Sequence, residues 1–549
     1  MTTTSGIKRR QLLLGVGTTL GALSLRGFEV RADAAAHFTH GVASGDPLAD
    51  RVILWSRVLP GDGSEKVLQG RWQVASDSNF TGIVAEGSAV ADPSRDYTVK
   101  VDAAGLTPGS TYWYRFLFDG VFSPVGRTKT LPVGEVANFR VGVCSCSNYP
   151  QGYFNAYRDM ARSDIDVVMH LGDYIYEYPA GGYANPYAVE QLGRGVVPEH
   201  ELVALEDYRQ RYGLYRTDPD LQAAHAAHPW MCIWDDHELA NNTWRNGAQN
   251  HNPGEGDFAT RMAMARKAYH EWLPIRTAAM SDQMPIYRSF KVGQLADLIL
   301  LDTRLHGRDE QLDYRTDLAA KEMSPEAFKQ NVLNDPQRTM LGADQSDWLG
   351  GQLMASKARG ATWQLIGQQV LMGKLMIPKL TQAQLESVEL PEYSRPWIMS
   401  MQKLADFDLP MNLDAWDGYP ACRERVFTNL LSHATNPVVL AGDTHNAWAF
   451  NLRNQADQAV GVELGCPGIS SPGMESYLPL PEDTMRAALL GSSPELVDVN
   501  TALRGWTLVT LTPEAVTGQH RFVSSVLSKD FSVSESAVLR CEAGSRHFS

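Results

Sequence analysis

Three short clusters of acids, imidazoles and a phenol mark where this chain can do chemistry, and each follows an apolar run. The first is Leu171-Gly172-Asp173-Tyr174-Ile175-Tyr176. Asp173 comes after an apolar run and a glycine, so its carboxylate emerges with little steric cover, and one turn of chain can return the Tyr176 phenol beside it. A deprotonated phenol is a hard donor that suits a highly charged ion such as ferric iron. The second cluster is Trp234-Asp235-Asp236-His237-Glu238, with Asn241 and Asn242 beyond it; the third is Gly442-Asp443-Thr444-His445-Asn446. Taken singly, each has a structural alternative: a turn aspartate at Asp173, a helix N-cap at Asp235, a hydrogen-bonded core imidazole at His237. Gathered at one edge of a sheet, these groups would repel and desolvate one another unless cations held them together. A metal centre is therefore the expected chemistry.

The elements that must position the clusters are buried strands. Apolar runs at 139–144, 165–170, 230–234, 298–301, 363–366 and 437–440 alternate with longer helical or irregular stretches, which predicts an α/β layered domain over residues 136–549. The polar clusters sit just past the C-terminal ends of these strands, where open α/β sheets place ligands. A strand-rich tail over 506–539 is expected to complete a sheet edge. Residues 36–132 read differently, as short strands separated by turns. In Gly105-Leu106-Thr107-Pro108-Gly109-Ser110-Thr111-Tyr112-Trp113-Tyr114, a turn runs into alternating aromatics, as in the late strand of fibronectin-like sandwiches. A small β-sandwich domain is expected there.

Composition narrows the function classes. The 549-residue chain is 44% hydrophobic and 20% charged, as globular proteins are, and its formal charge of −14 argues against a nucleic-acid groove as partner. Lys8-Arg9-Arg10, an apolar stretch from Leu12 to Leu25 and Ala32-Asp33-Ala34 form a removable export signal over residues 1–34. The paired arginines followed by Gln11-Leu12-Leu13 resemble a twin-arginine signal, which implies export by the twin-arginine machinery to the periplasm or beyond. No segment reads as a stable membrane span. Six cysteines are too few for a disulfide framework in a chain of this length.

The order Asp-x-x-Tyr, Asp-Asp-His-Glu, Gly-Asp-x-His resembles the calcineurin-like metallophosphoesterases and purple acid phosphatases. Longer strings resemble the PhoD-type alkaline phosphatases: Gly41 to Pro47, Leu171 to Glu177, Trp234 to Glu238, Leu301-Asp302-Thr303-Arg304, Asp414 to Pro420 and Gly442 to Asn446. The resemblance implies a small N-terminal sandwich, a metallophosphatase domain and a site using Fe3+ with Ca2+. Carried over by position, Cys146, Tyr176 and His445 would hold iron, Asp173 would bridge, and Asp236, Asp443 and Asn242 would serve calcium. Cys144 competes with Cys146 for the thiolate role. Chemistry adds that an oxygen-only second site suits Ca2+ or Mg2+ better than Zn2+.

The expected activity is hydrolysis of phosphomonoesters or phosphodiesters by a metal-activated hydroxide. His237 is the candidate to stabilise the transition state or protonate the leaving alkoxide, and Arg304 the candidate clamp on phosphate, with a salt bridge as its alternative. Two other readings stand beside this one: a phospholipase D-like phosphodiesterase acting on phospholipid head groups, and a periplasmic binding protein stabilised by metals. The stretches 178–206 and 372–411, the second carrying Trp397 and several methionines, are expected to shape or lid the pocket. The substrate is expected to be a small phosphate ester and the protein a monomer.

Overall fold

Each apolar run read as a strand forms one: Phe139–Cys144, Val167–His170, Pro229–Cys232, Ala296–Leu300, Trp363–Gly367 and Pro437–Ala441. The computed structural model describes residues 36–276 and 285–549, and the export signal expected over residues 1–34 lies outside the described residues. Among the described residues no helix is long and apolar enough to cross a membrane. All six cysteines are buried free thiols.

The strands build two facing sheets. In a ten-stranded sheet, Phe139–Cys144, Val167–His170, Pro229–Cys232 and Val42–Gly45 run parallel. The tail strands Arg504–Leu511 and Ala515–Val523 extend this sheet antiparallel, and Val533–Glu535 and Leu539–Glu542 finish that edge. In a seven-stranded sheet, Ala296–Leu300, Trp363–Gly367, Pro437–Ala441 and Ala459–Gly465 run parallel. The period-two alternation of strands decides which side chains meet. Leu298, Leu300, Leu365, Val438 and Leu440 join the core shared with the ten-stranded sheet. Ile299, Leu301, Ile366, Val439 and Ala441 turn the other way, against Leu349, Leu353 and Phe427 of the helices Gly342–Arg359 and Pro420–His433. Burial on both faces is why these strands read as unbroken apolar runs.

The N-terminal region does pack as two facing sheets, but one of them is not its own. Leu68–Ala75, Ile83–Ala91 and Thr111–Phe118 lie in a five-stranded sheet, whose Val74, Tyr114 and Phe116 meet Val52, Leu54 and Val99 in one core. These last three belong to Arg51–Arg57 and Thr98–Ala104, which continue the ten-stranded sheet through Val42–Gly45. Joining the sheets removes an open strand edge, whose unpaired N–H and C=O groups would otherwise face water. The turn before Thr111–Phe118 is tied to its strand by the Tyr112 hydroxyl, which accepts the Thr107 N–H at 2.9 Å. The string Gly41 to Pro47 is a clasp. Its Asp46 carboxylate, wholly buried, accepts Arg288 Nε and Nη2 at 2.9 and 2.8 Å and so ties the N-terminal region to the edge of the seven-stranded sheet.

Residues 312–333 and 377–413 form a small cap with a separate core of Leu312, Leu318, Phe328, Leu333, Ile377, Met401, Leu404 and Leu413. Leu312, Ile377 and Met401 of the cap line one cavity together with Asn242, Asp443 and His445 of the polar clusters.

Candidate metal centre

The strand ends converge because glycine lets them. Gly172 lies at φ 106°, and a Cβ there would fall 2.3 Å from the Asp235 Cβ and 2.5 Å from its nitrogen. The Cys146 N–H donates to the Gly172 carbonyl at 3.1 Å and the Ser147 N–H to the Asp173 carbonyl at 2.9 Å, lacing adjacent loops together. Cys146, Asp173, Asn242, Asp443 and His445 all take positive φ, between 51° and 64°. Non-glycine residues enter that left-handed region at an energetic cost, and they persist there only where the surroundings over-determine them. Replacing Gly172 by alanine is expected to cost about 2 kcal/mol or more, because backbone rather than a flexible side chain blocks the added methyl. Thermal unfolding and metal content measured on the purified variant check this, and both should fall.

Three side-chain groups are close enough to share an ion: Cys146, Asp173 and His445; Asp173, Asp236 and His237; and Asp235, Asp236 and Asp443, each with ligand atoms within 4.8 Å of one another. Asp173 is common to the first two. The Tyr176 hydroxyl lies 3.0 Å from Asp173 Oδ2, 3.3 Å from His445 Nε2 and 2.7 Å from Ser471 Oγ. His445 Nδ1 is 2.8 Å from the Pro472 carbonyl, so that nitrogen carries the proton and Nε2 presents its lone pair to the cluster. Asn242 donates its N–H to Asp236 Oδ2 at 2.6 Å. Cys144 lies within its strand, paired with His170, and belongs to none of the three groups.

The donor set fits a cation. Asp173 Oδ1 and Asp235 Oδ2 are buried with no hydrogen-bond partner, an expense that native interiors avoid unless something else satisfies the oxygen. Burial pushes the Asp173 carboxyl well up and the Asp443 carboxyl to about 7, and lowers His445 to about 3. Burial also raises the Cys146 thiol and the Tyr176 phenol. A polyvalent ion inverts that trend, since it binds the thiolate, phenolate and carboxylate forms.

Comparison with known proteins places the chain. Residues 141–520 match the family model of the PhoD-like phosphatases, and residues 24–132 match the model of the PhoD-like phosphatase N-terminal domain. The chain belongs to the PhoD-like phosphatase family. It is 35% identical to alkaline phosphatase D of Bacillus subtilis (strain 168) over 556 residues, covering 96% of this chain and 86% of that one. A solved structure described as the structure of PhoD superposes with a TM-score of 0.77 at 32% identity, covering 94% of this chain and 92% of the other. This PhoD-like chain is thus a hydrolase of phosphoric esters.

In this PhoD-like phosphatase the fork of Arg304 meets three carboxylates. Its side chain is wholly buried, with Nε 2.5 Å from Asp235, Nη1 2.7 Å from Asp414 and Nη2 2.9 Å from Asp443. The alternative raised from the sequence, a salt bridge, is the geometry found. The physical reason is charge density: three carboxylates converge on that point, and a planar fork serves several of them at once. His237 is placed close to the acids. Its Nδ1 lies 2.7 Å from Glu177 Oε2, while Glu177 Oε1 accepts the Asn241 N–H and Asn250 Nδ2 at 2.7 and 2.8 Å. Burial works against a charged His237, but Asp236 and Glu177 outweigh it and hold its pKa well above the ordinary value.

Several residues of the site had no role in the sequence reading. Glu238 accepts the N–H groups of Asp173, Tyr174 and Asp235 at 3.0, 2.5 and 2.7 Å, so one carboxylate sets the spacing of two ligand loops. Asp414 joins Arg304 and Arg308. Tyr183, from the stretch 178–206, places its hydroxyl 3.1 Å from His445 Nδ1. Glu177, Glu238 and Asp414 all fall inside strings that carried the family resemblance, but their partners are distant in sequence, and no spacing rule links them.

Proposed function

We propose that this chain is an exported, metal-dependent phosphoesterase that hydrolyses phosphomonoesters, phosphodiesters or both. The observation that carries the reading is the buried, partnerless Oδ1 of Asp173 at the junction of two ligand groups of different character. Cys146, Tyr176 and His445 form a thiol, phenol and imidazole shell suited to Fe3+, with Asp173 as the bridge. Asp236, Asp443 and Asn242 form an oxygen shell suited to Ca2+, with Mg2+ or Zn2+ as alternatives. Cations held there would supply Lewis acidity toward phosphate oxygens and toward a water nucleophile.

The chain's own residues do the rest. Glu177 fixes the His237 ring and keeps a proton on Nδ1, leaving the other ring nitrogen to face phosphate or a leaving oxygen. Arg304 holds Asp235 and the ligand Asp443 in place, and acts through that ligand rather than on substrate. The cap lines the cavity beside the acids, and Tyr183 orients the His445 ring through its hydroxyl. A protein folded before crossing the membrane is suited to the twin-arginine route, with the periplasm or the exterior as destination and a monomer as the working form.

The test joins metal analysis to kinetics. Purified protein is assayed with a chromogenic phosphomonoester and a phosphodiester before and after chelation, with metals quantified in parallel. Iron with calcium, turnover of at least one ester and loss of turnover on chelation are expected. Zinc in both positions without iron contradicts the ligand assignment, and turnover of neither ester under any metal loading favours a metal-stabilised binding protein. Replacing His237 by alanine is expected to lower kcat by about 10²–10³-fold with metal content retained. Full turnover in that variant removes the role given to the imidazole.

A further inference from the structure

Gln369 follows the strand Trp363–Gly367, is wholly buried, and touches three loops at once. Its Nε2 donates to the Trp234 carbonyl at 2.6 Å and to the Leu301 carbonyl at 3.1 Å. Its Oε1 accepts the Thr303 N–H at 3.0 Å and the Thr303 hydroxyl at 2.6 Å, and its backbone carbonyl accepts the Gly442 N–H at 2.7 Å. Trp234, Thr303 and Gly442 are the residues immediately before Asp235, Arg304 and Asp443, whose side chains meet one another. We infer that Gln369 is a positioning residue for the reaction, a joint that sets three strand-end loops so that the acids of the oxygen-rich site converge. The inference rests on the metal-dependent reading above and adds to it a residue that belongs to none of the ligand groups.

The chemistry of the amide supports this. Both of its N–H groups and both lone pairs of its oxygen are used, and each partner fixes which way the amide faces: the two carbonyls only accept, and the Thr303 N–H only donates. No other side chain of that length satisfies all four, and in a buried place an unmet partner is costly. The topology supports it too. Trp234 follows a strand of the ten-stranded sheet, whereas Leu301, Thr303 and Gly442 follow strands of the seven-stranded one, so the amide ties one sheet to the other beside Asp235, Asp236 and Asp443. The group around Cys146 is held by different bonds. The His445 carbonyl accepts Arg504 Nη1 at 2.8 Å, its Nδ1 lies 2.8 Å from the Pro472 carbonyl, and the Cys146 N–H reaches Gly172. None of these involves Gln369, so its loss should weaken one ion site and spare the other.

The experiment measures metal binding rather than turnover alone. Calcium is removed from the purified full chain with a calcium-selective chelator, Ca2+ is titrated back by calorimetry, and iron is quantified in the same preparation. In Gln369→Met, which fills the space without an amide, the Kd for Ca2+ is expected to rise about 10–100-fold with iron content at the native level, and saturating Ca2+ should restore kcat. Thr303→Val removes one hydrogen bond and almost no volume, so it decides the question even where Gln369→Met does not fold; its Kd should rise about three- to ten-fold. An unchanged Kd in every folded variant overturns the positioning role. Parallel loss of iron and calcium also overturns it, since a residue that merely holds the fold would act on both. A native chain that takes up no Ca2+ overturns instead the calcium assignment made above, and the inference with it.

Discussion

Asp173→Ala is expected to lower kcat/KM for phosphate esters by at least about 10³-fold and to release both kinds of metal. Three or more decades correspond to about 4 kcal/mol or more of lost transition-state stabilisation, the scale on which charge neutralisation at a phosphoryl group operates. The structure concentrates this effect on one residue. Asp173 belongs both to the group with Cys146 and His445 and to the group with Asp236 and His237, and it alone belongs to both. The Tyr176 hydroxyl donates to its Oδ2, so its removal also frees the phenol from its position. Asp173→Asn separates charge from shape, since the amide fills the same space without a bridging negative charge. It should bind less metal than the native chain while keeping its fold, as metal analysis and circular dichroism would show. Native metal content and turnover in either variant would sink the bridging role.

Arg304→Met is expected to be the most destabilising single change at the site, by about 3–5 kcal/mol. Removing one partner of a buried ion pair leaves the other charge dehydrated and uncompensated. Here the residues left are Asp235 and Asp414, 1% and 12% exposed at residue and side-chain level respectively, together with Asp443. Arg304→Lys should recover only part of the loss, because an ammonium cannot reach three carboxylates with the geometry of a fork. Excess Ca2+ should raise the melting temperature of Arg304→Met more than that of the native chain, since cations can neutralise the same acids. A variant of native stability whose KM alone rises would instead restore Arg304 to the substrate clamp suggested by its motif.

The site was legible to different depths. Asp173, Tyr176, Asp236, Asp443 and His445 could be picked out because they lie in polar clusters just beyond apolar runs, a pattern that consecutive residues carry, whereas Cys146 and the division of the residues between two ions came only from the family resemblance. Arg304 was visible, but its commitment was not: its partners Asp235, Asp414 and Asp443 lie 69, 110 and 139 residues away. Glu238 and Glu177 look like ordinary members of acidic strings until the folded chain brings backbone N–H groups around them. No periodicity records such pairings.

The same division holds for the whole protein. Residue pattern alone was enough to place the buried strands, since burial on both faces demands unbroken apolar runs. It also determined the glycine-aspartate turns, since a strand end that passes within 2.3 Å of a neighbour admits no Cβ. Folding in three dimensions was needed to show that the N-terminal strands extend the ten-stranded sheet, that the fork of Arg304 meets three carboxylates, and that residues from the cap line a cavity beside the acids. Those outcomes depend on contacts between segments far apart in the chain, where the energy of packing and of pairing buried charge is set by three-dimensional neighbours rather than by sequence spacing.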